Sequence, residues 1–270
     1  MISKRKIAHI LLVAKSHKGE SWYYPRTFQA TAIHYIVQHL QKKKIKFRLI
    51  DRRSLKKPIS NVDLVITIGG DGTFLTTAHF CGEIPMLGVN AMPAISTGFF
   101  CGATVKTFSS VFEKIFGNRL HPKKFFRMNV RIHKKNLPIL ALNDVLFTSN
   151  ISGDMTRYFL SVNGKREFQK SSGVWIATSA GSTAGIYSAG GKRDPLSSPR
   201  LQYWVREPVR YPRSICKHTH GFIAERKTLR LTPQSNNTVL FIDGPQRVFP
   251  VPMGKTVYLT CAKKPLNIFR

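Results

Sequence analysis

The sequence predicts an α/β N-terminal domain built on a parallel sheet, followed by an all-β, sandwich-like C-terminal domain. Three observations lead to this. Residues 7–14 (IAHILLVA) and 64–68 (LVITI) are short apolar runs of the kind found in strands buried on both faces. Between them, Phe28, Ala32, Ile36, Val37 and Leu40 recur at helical spacing. Past about residue 120, short alternating or β-branched runs separated by polar turns take over.

Taken in order, 7–14 is a first strand. Residues 15–25 are polar and aromatic and read as a loop. Residues 27–42 form a helix whose closing lysines suit the negative end of its dipole. Strands follow at 47–50 and 64–68, a helix at 73–80 and a strand at 85–89. This alternation is the rhythm of an open parallel sheet with crossover helices. The β-rich part contains runs at 128–133, 139–142, 145–149, 157–162, 174–177, 228–232, 239–242 and 256–260, and Asn163-Gly164 marks a tight hairpin. The expected divisions are 1–103, 104–250 and a last segment, 251–270, able to return to the first domain.

The 270 residues are enough for one large domain or two modest ones with real cores. No stretch approaches the ~20 consecutive apolar residues of a membrane span. The basic start, Met1 to Lys6, precedes an apolar run, but no small-residue cleavage site comes after it, so a buried first strand is the better reading. Cys81, Cys101, Cys216 and Cys261 form no C-x-x-C pair and no zinc spacing, which fits a reduced cytoplasmic protein. Lys and Arg number 43 against 13 Asp and Glu, a formal net charge of +30. Such a surface attracts polyanions. Yet the basic residues are scattered in runs of three or fewer, and no nucleic-acid module surrounds them. A solvated basic surface with phosphate-rich small substrates is expected, with neither a specific nucleic acid nor a membrane as partner.

The chemistry centres on Gly69-Gly70-Asp71-Gly72-Thr73, which follows an apolar strand and opens a helix. In open α/β sheets, ligands collect at the carboxyl ends of strands. Three glycines in four positions allow close backbone approach, and N–H groups at a helix start can face phosphate oxygens. A carboxylate within such a cradle repels phosphate unless it serves a purpose. Two purposes fit, accepting a proton from an attacking hydroxyl or holding Mg²⁺. A plain tight turn is the alternative. Asn143-Asp144, ahead of a strand, can read a ribose or base edge, or simply turn the chain. Residues 173–191 (GVWIATSAGSTAGIYSAGG) break from a strand into small and hydroxyl side chains, leaving room for a flat ligand and supplying donors at a helix start.

Together these segments resemble the NAD kinase family. The Gly69 to Thr73 loop matches its GGDGT motif, and Ser96-Thr97-Gly98-Phe99-Phe100 is similar to its Gly-Phe-Leu segment. Asn143-Asp144 matches an Asn-Glu/Asp pair, and Gly181-Ser182-Thr183-Ala184 matches the heart of a Thr-Gly-Ser-Thr-Ala-Tyr motif. Ser188-Ala189-Gly190-Gly191 matches the stretch just after that motif, and Asp243-Gly244, with Gln246 one residue displaced, resembles a C-terminal Asp-Gly-Gln.

The resemblance implies an active site between the two domains and transfer of the γ-phosphoryl of ATP, with Mg²⁺, to the 2′-hydroxyl of the adenosine ribose of NAD. It implies Asp71 as general base and Gly69, Gly70, Gly72 and Thr73 as the phosphate cradle. The implied dinucleotide contacts are Asp71, Gly72, Phe99, Asn143, Asp144, Lys170, Ser172, Thr183, Ala184, Ser188 and Gln246, with no protein metal ligand assigned. It also implies a homodimer or homotetramer with sites completed across subunits.

The chain departs from the family at Ser172, where a carboxylate is usual, at Thr178-Ser179-Ala180 in place of Thr-Pro-Thr, and at Gly185 in place of a tyrosine. Lys170 stands where Arg is usual and keeps the charge without the fork. These changes keep two other readings open: a related kinase with a lipid or other nucleoside as acceptor, and a non-catalytic nucleotide-binding relative.

Overall fold

The computed structural model describes residues 7–15, 26–209 and 216–270. The loop expected at 15–25 therefore falls, apart from Lys15, outside the described residues. Two compact units emerge: Met1–Lys124 joined by Leu266–Arg270, and Phe125–Pro265.

The first unit contains β1 (His9–Ala14), α1 (Arg26–Lys42), β2 (Lys46–Asp51), β3 (Leu64–Ile68), α2 (Asp71–Ala78), β4 (Met86–Asn90), β5 (Cys101–Thr104), α3 (Phe108–Phe116) and β6 (Lys123–Phe125). Strands β1 to β4 run parallel in the order β2-β1-β3-β4, with β5 parallel to β4. All five residues of β3 and of β4 are buried, as continuous apolar runs require when both faces are covered. Because the strands are parallel, Asp51, Ile68 and Asn90 all end on one edge of the sheet, and the loops leaving that edge carry the first candidate residues.

The second unit contains β7 (Met128–Ile132), β8 (Lys135–Ala141), β9 (Asp144–Ser149), β10 (Thr156–Val162), β11 (Lys165–Ser171), β12 (Gly173–Ala177), the one-turn helix α4 (Gly185–Ser188), β13 (Leu201–Arg206), β14 (His220–Ile223), β15 (Leu229–Pro233), β16 (Thr238–Ile242), β17 (Val248–Pro250) and β18 (Val257–Cys261). Two six-stranded antiparallel sheets form, β11-β10-β15-β18-β7-β8 and β14-β13-β12-β9-β16-β17. One core serves both. Val130, Tyr158, Leu160, Leu231 and Leu259 come from the first sheet, and Val145, Phe147, Val174, Ile176 and Leu240 from the second. This is the expected sandwich. Asn163 and Gly164, both at positive φ (+50° and +80°), make the predicted β10–β11 hairpin.

The unit limits differ from the expected divisions at 103 and 250. The segment after 103 carries α3, whose buried Phe108, Phe112 and Ile115 join the core that holds Ile36 and Leu40 of α1. His39 packs edge-on against both Phe108 and Phe112, at 5.5 and 5.6 Å between ring centres. Past 250, β18 pairs with β7 and β15 inside the sandwich of the second unit. The return to the first unit is confined to the end of the chain, where β19 (Leu266–Phe269) pairs in parallel with β4.

Among the described residues the four cysteines are free, and no helix is long and apolar enough to cross a membrane.

Candidate functional site

In the first unit, the Gly69 to Thr73 loop leaves β3 and becomes the first turn of α2. Its strand end is fixed from behind, where buried Gln29 of α1 donates to the Ile68 carbonyl at 2.7 Å. Gly69 lies at φ +147°, and a Cβ there would meet the Thr73 hydroxyl at 2.8 Å. A Cβ on Gly70 would meet the Ser96 hydroxyl at 2.5 Å. Gly69 is thus required by its backbone angle, and Gly70 leaves the room that the Ser96 hydroxyl occupies.

Asp71 sits in the first turn of α2, where a negative charge meets the positive end of the helix. Its carboxylate faces the 90–100 loop and accepts two backbone N–H bonds, from Phe99 at 2.9 Å and Phe100 at 2.8 Å. That loop is held by buried Asn90, whose amide donates to the Ser96 carbonyl at 2.9 Å and whose carbonyl accepts from the Met92 N–H at 3.0 Å. Phe100 is buried and stacks on Phe74 of α2 at 5.4 Å. The ring of half-buried Phe99 lies 4.3 Å from the Arg270 guanidinium. The orientation of Asp71 is therefore set by backbone donors on a packed loop, and each oxygen keeps a lone pair for a further donor.

Beside it opens a cavity of about 230 Å³ lined by Asn90, Ser96, Thr97, Gly98, Cys101 and Thr104, among others. Burial, reinforced by the negative charge of Asp71 and partly opposed by Arg270, pushes the Cys101 thiol up to about 12, so it remains a neutral thiol. Arg52, just past β2, reaches the same edge, with its Nη1 3.8 Å from where a Cβ on Gly72 would be. Burial, with the like charge of Arg53, lowers its pKa from the ordinary value, and Asp51 opposes the shift. Sequence reasoning misses Arg52, since Arg52-Arg53 looks like one more scattered basic pair.

In the second unit, Asn143-Asp144 lies at the start of β9, and Asp243 organises it. The Asp243 carboxylate accepts from the N–H groups of Leu142 (2.8 Å), Asn143 (2.7 Å) and Asp144 (3.0 Å). Asp243 adopts φ +49°, and its own N–H donates to the Asp144 carbonyl at 2.9 Å. The Asn143 amide donates to the Asp144 carboxyl at 3.0 Å. Burial and the neighbouring charge of Asp243 push the Asp144 carboxyl up to about 7. Asp144 is thus poised between acceptor and donor near neutrality.

Thr178, at the end of β12, ties the next segment on. Its hydroxyl donates to the Leu142 carbonyl at 2.6 Å, and its N–H donates to the Asn143 carbonyl at 3.0 Å. A Cβ on Gly181 would lie 2.0 Å from the Asn143 carbonyl oxygen, so only glycine fits. Ser182 is buried; its hydroxyl donates to the Ser179 carbonyl at 2.7 Å and accepts from the Asp194 N–H at 2.9 Å. It is a brace within the turn, whereas Thr183 and Ser188 are exposed and Ala184 is half-buried. The helix expected after this turn is the single turn α4.

The structure thus gathers Asp71, Phe99 and the glycines in one unit, and Asn143, Asp144 and the Gly181 turn that carries Thr183 and Ala184 in the other. Gln246 is exposed in the β16–β17 turn, three residues past Asp243. Lys170 and Ser172 stand apart. They flank the start of β12, while Ala177 at its end pairs with Asp144. The Ser172 N–H donates to the Arg206 carbonyl at 3.1 Å, and its hydroxyl lies 3.7 Å from the Met155 sulfur. Within one protomer, neither joins the Asn143 cluster.

Residues 6–119 match the family model described as the ATP-NAD kinase N-terminal domain. A probable NADH kinase from Oryza sativa subsp. japonica is 32% identical over 82% of this chain and 75% of its own length. The NADH kinase of Arabidopsis thaliana is 33% identical over 88% of this chain and 82% of its own. The chain belongs to the NAD kinase family. An NAD kinase from Marinomonas sp. is 30% identical over 77% of the chain and 71% of its own length. Solved structures share the fold at lower identity. Yeast NADH kinase complexed with NADH superposes with a TM-score of 0.79 at 20% identity, covering 98% of this chain and 84% of that one. An Archaeoglobus fulgidus NAD kinase in complex with ATP gives 0.75 at 19%, covering 97% and 93%. As a family member, the chain is a phosphotransferase of the NAD(H) kinase type.

Proposed function

We propose that this protein transfers the γ-phosphoryl of ATP to the 2′-hydroxyl of the adenosine ribose of NAD, giving NADP and ADP. The observation that carries the reading is the carboxylate of Asp71, held by two backbone N–H groups at the start of α2. A group so fixed is suited to take the proton of the attacking hydroxyl as the new O–P bond forms and ADP leaves. Gly69, Gly70, Gly72 and Thr73 form the phosphate cradle, with Arg52 as a nearby positive charge. Asn143, Asp144, Thr183, Ala184, Ser188 and Gln246 are the dinucleotide contacts, together with Phe99.

Among the described residues, no three of His, Cys, Asp or Glu gather as a metal cage. Mg²⁺ would enter on the nucleotide, as is usual for phosphate-bound Mg²⁺. When bound, that ion would neutralise phosphate charge. Lys170 on β11 and Ser172 just before β12 are separated from the Asn143 cluster by the length of β12, which supports a homodimer or homotetramer in which they serve a neighbouring copy's ligand. The reading places the enzyme in the cytoplasm.

The test is to incubate the protein with ATP, Mg²⁺ and either NAD or NADH and to measure NADP or NADPH. Both acceptors are needed because two of the relatives bear the name NADH kinase. NADP formation abolished by Asp71→Asn is the expected result. A folded wild-type protein that phosphorylates neither acceptor overturns the proposal. In that case the altered positions Ser172, Ala180 and Gly185 point to a different acceptor.

A further inference from the structure

The sheet β14-β13-β12-β9-β16-β17 has one face in the core, marked by Val174 and Ile176 of β12 and by Val145 and Phe147 of β9. Strand alternation puts Trp175 and Ala177 of β12, and Asp144 and Leu146 of β9, on the opposite face. The register pairs Trp175 with Leu146 and Ala177 with Asp144. Trp175 is therefore the diagonal neighbour of Asp144 on the same face, a separation that a large aromatic side chain spans.

The turn that carries Thr183 and Ala184 passes over this face. A Cβ on Gly185 would lie 3.0, 3.2 and 3.3 Å from three atoms of the Trp175 indole. The indole thus stands where a side chain at position 185 would project. It is half-buried, so part of the ring is open. Trp204 repeats the arrangement one strand over, since a Cβ on Gly190 would lie 2.6 Å from its ring. But Trp204 is capped by His220, stacked at 4.7 Å. No aromatic stacking contact is made by Trp175 with another ring among the described residues.

We propose that Trp175 presents the aromatic face against which the adenine of the bound dinucleotide stacks, in a position that Gly185 leaves clear. The inference rests on the proposed dinucleotide site. It makes Trp175 a ligand-contacting residue contributed by the sheet rather than by the glycine-rich turn. An indole edge beside an acid–amide pair suits a base, which offers a flat π face and polar edges at once. Gly185 and Trp175 then form one unit: a side chain at 185 would press on the ring, which would have to give by a few tenths of an ångström.

The test measures the Kd of NAD by calorimetry, together with steady-state kinetics, on wild-type protein and variants. Trp175→Leu is expected to raise the Kd roughly tenfold, in keeping with base–aromatic stacking. Trp175→Tyr is expected to stay within about threefold of wild type. The double variant Trp175→Leu with Gly185→Tyr re-sites a ring from the turn and is expected to recover most of the lost affinity. A tryptophan that only fills space would not yield that recovery.

If folded Trp175→Leu binds NAD as wild type does, or if neither Trp175→Tyr nor the double variant regains affinity, the inference is overturned. Should Trp175→Leu fail to fold, Trp175→Met, long and apolar but without a ring, decides between the same outcomes. Wild-type protein that binds no NAD sinks the functional proposal itself, whereas NAD binding indifferent to Trp175 sinks this inference alone.

Discussion

The Gly69 to Thr73 loop and the Asn143 to Gly191 region are built on opposite plans. In the loop, a reactive carboxylate is held by main chain: two N–H groups on Asp71, with glycines where side chains would collide. In the second region, a backbone segment is held by a side chain, with Asp243 gathering three N–H groups of residues 142–144. A carboxylate fixed by main chain needs only a backbone in the right place, here 28 and 29 residues away, whatever side chains that backbone carries. A backbone fixed by a carboxylate about 100 residues away needs both partners, and its exposed side chains stay free to vary. The chain departs from its family's pattern in that second region, and not in the loop.

Five substitutions would break or sharpen this contrast. The largest effect is expected from Asp71→Asn, which should lower the rate of NADP formation at least ~100-fold, within the usual range for a general base. Its melting temperature should stay close to that of wild type, and an unchanged rate would remove the base role.

Next comes the pH dependence set by Asp144. Its folded-state pKa of about 7 lies above the ordinary 3.8, so the folded protein holds this proton through a window in which the unfolded chain has lost it. The associated stability is fully present below about pH 4 and is lost as pH rises toward 7. At 1.36 kcal/mol per pH unit, the loss is at most about 4 kcal/mol. Urea denaturation from about pH 4 to about pH 8 should show this fall in the wild type and a flatter profile in Asp144→Asn.

Gly181→Ala should cost about 3 kcal/mol, because its Cβ would be driven into the Asn143 carbonyl. Gly72→Ala should be nearly silent in stability, since its Cβ meets only the end of Arg52. Equal effects from the two glycines would contradict the contrast between the two regions. Asp243→Asn should cost about 2 kcal/mol by leaving a backbone donor facing an amide. It should also lower the Asp144 pKa by removing a neighbouring charge, a shift that carboxyl NMR titration would detect.

The legibility of each element follows from how local its causes are. Strand β3 is readable to the residue because burial on both faces leaves an unbroken apolar run. The hairpin at Asn163-Gly164 is readable because two positive φ angles select those residue types. Helix α3 escapes notice, since its apolar face serves a core assembled mostly from the far N-terminal segment.

The site divides the same way. Asp71 is evident from its five-residue loop. The roles of Asp243, Arg52 and Trp175 are not, because each depends on a partner brought near only by folding: residues 142–144, Gly72 and Gly185. The reason for Gly185 is a case in point. Read linearly it is a lost tyrosine, and in three dimensions it is clearance for an indole.

Strand β19 carries a consequence for how the molecule is made. Its pairing with Met86 and Leu87 closes part of an edge of β4 that is formed by residue 90. About 175 residues separate the two strands, and the whole sandwich of the second unit is synthesised between them. On a ribosome adding about 5–20 residues per second, that stretch of β4 edge stays open for roughly ten seconds or more. An open hydrophobic edge is the usual template for wrong pairing. Strand β19 thus acts as a late seal on the first unit.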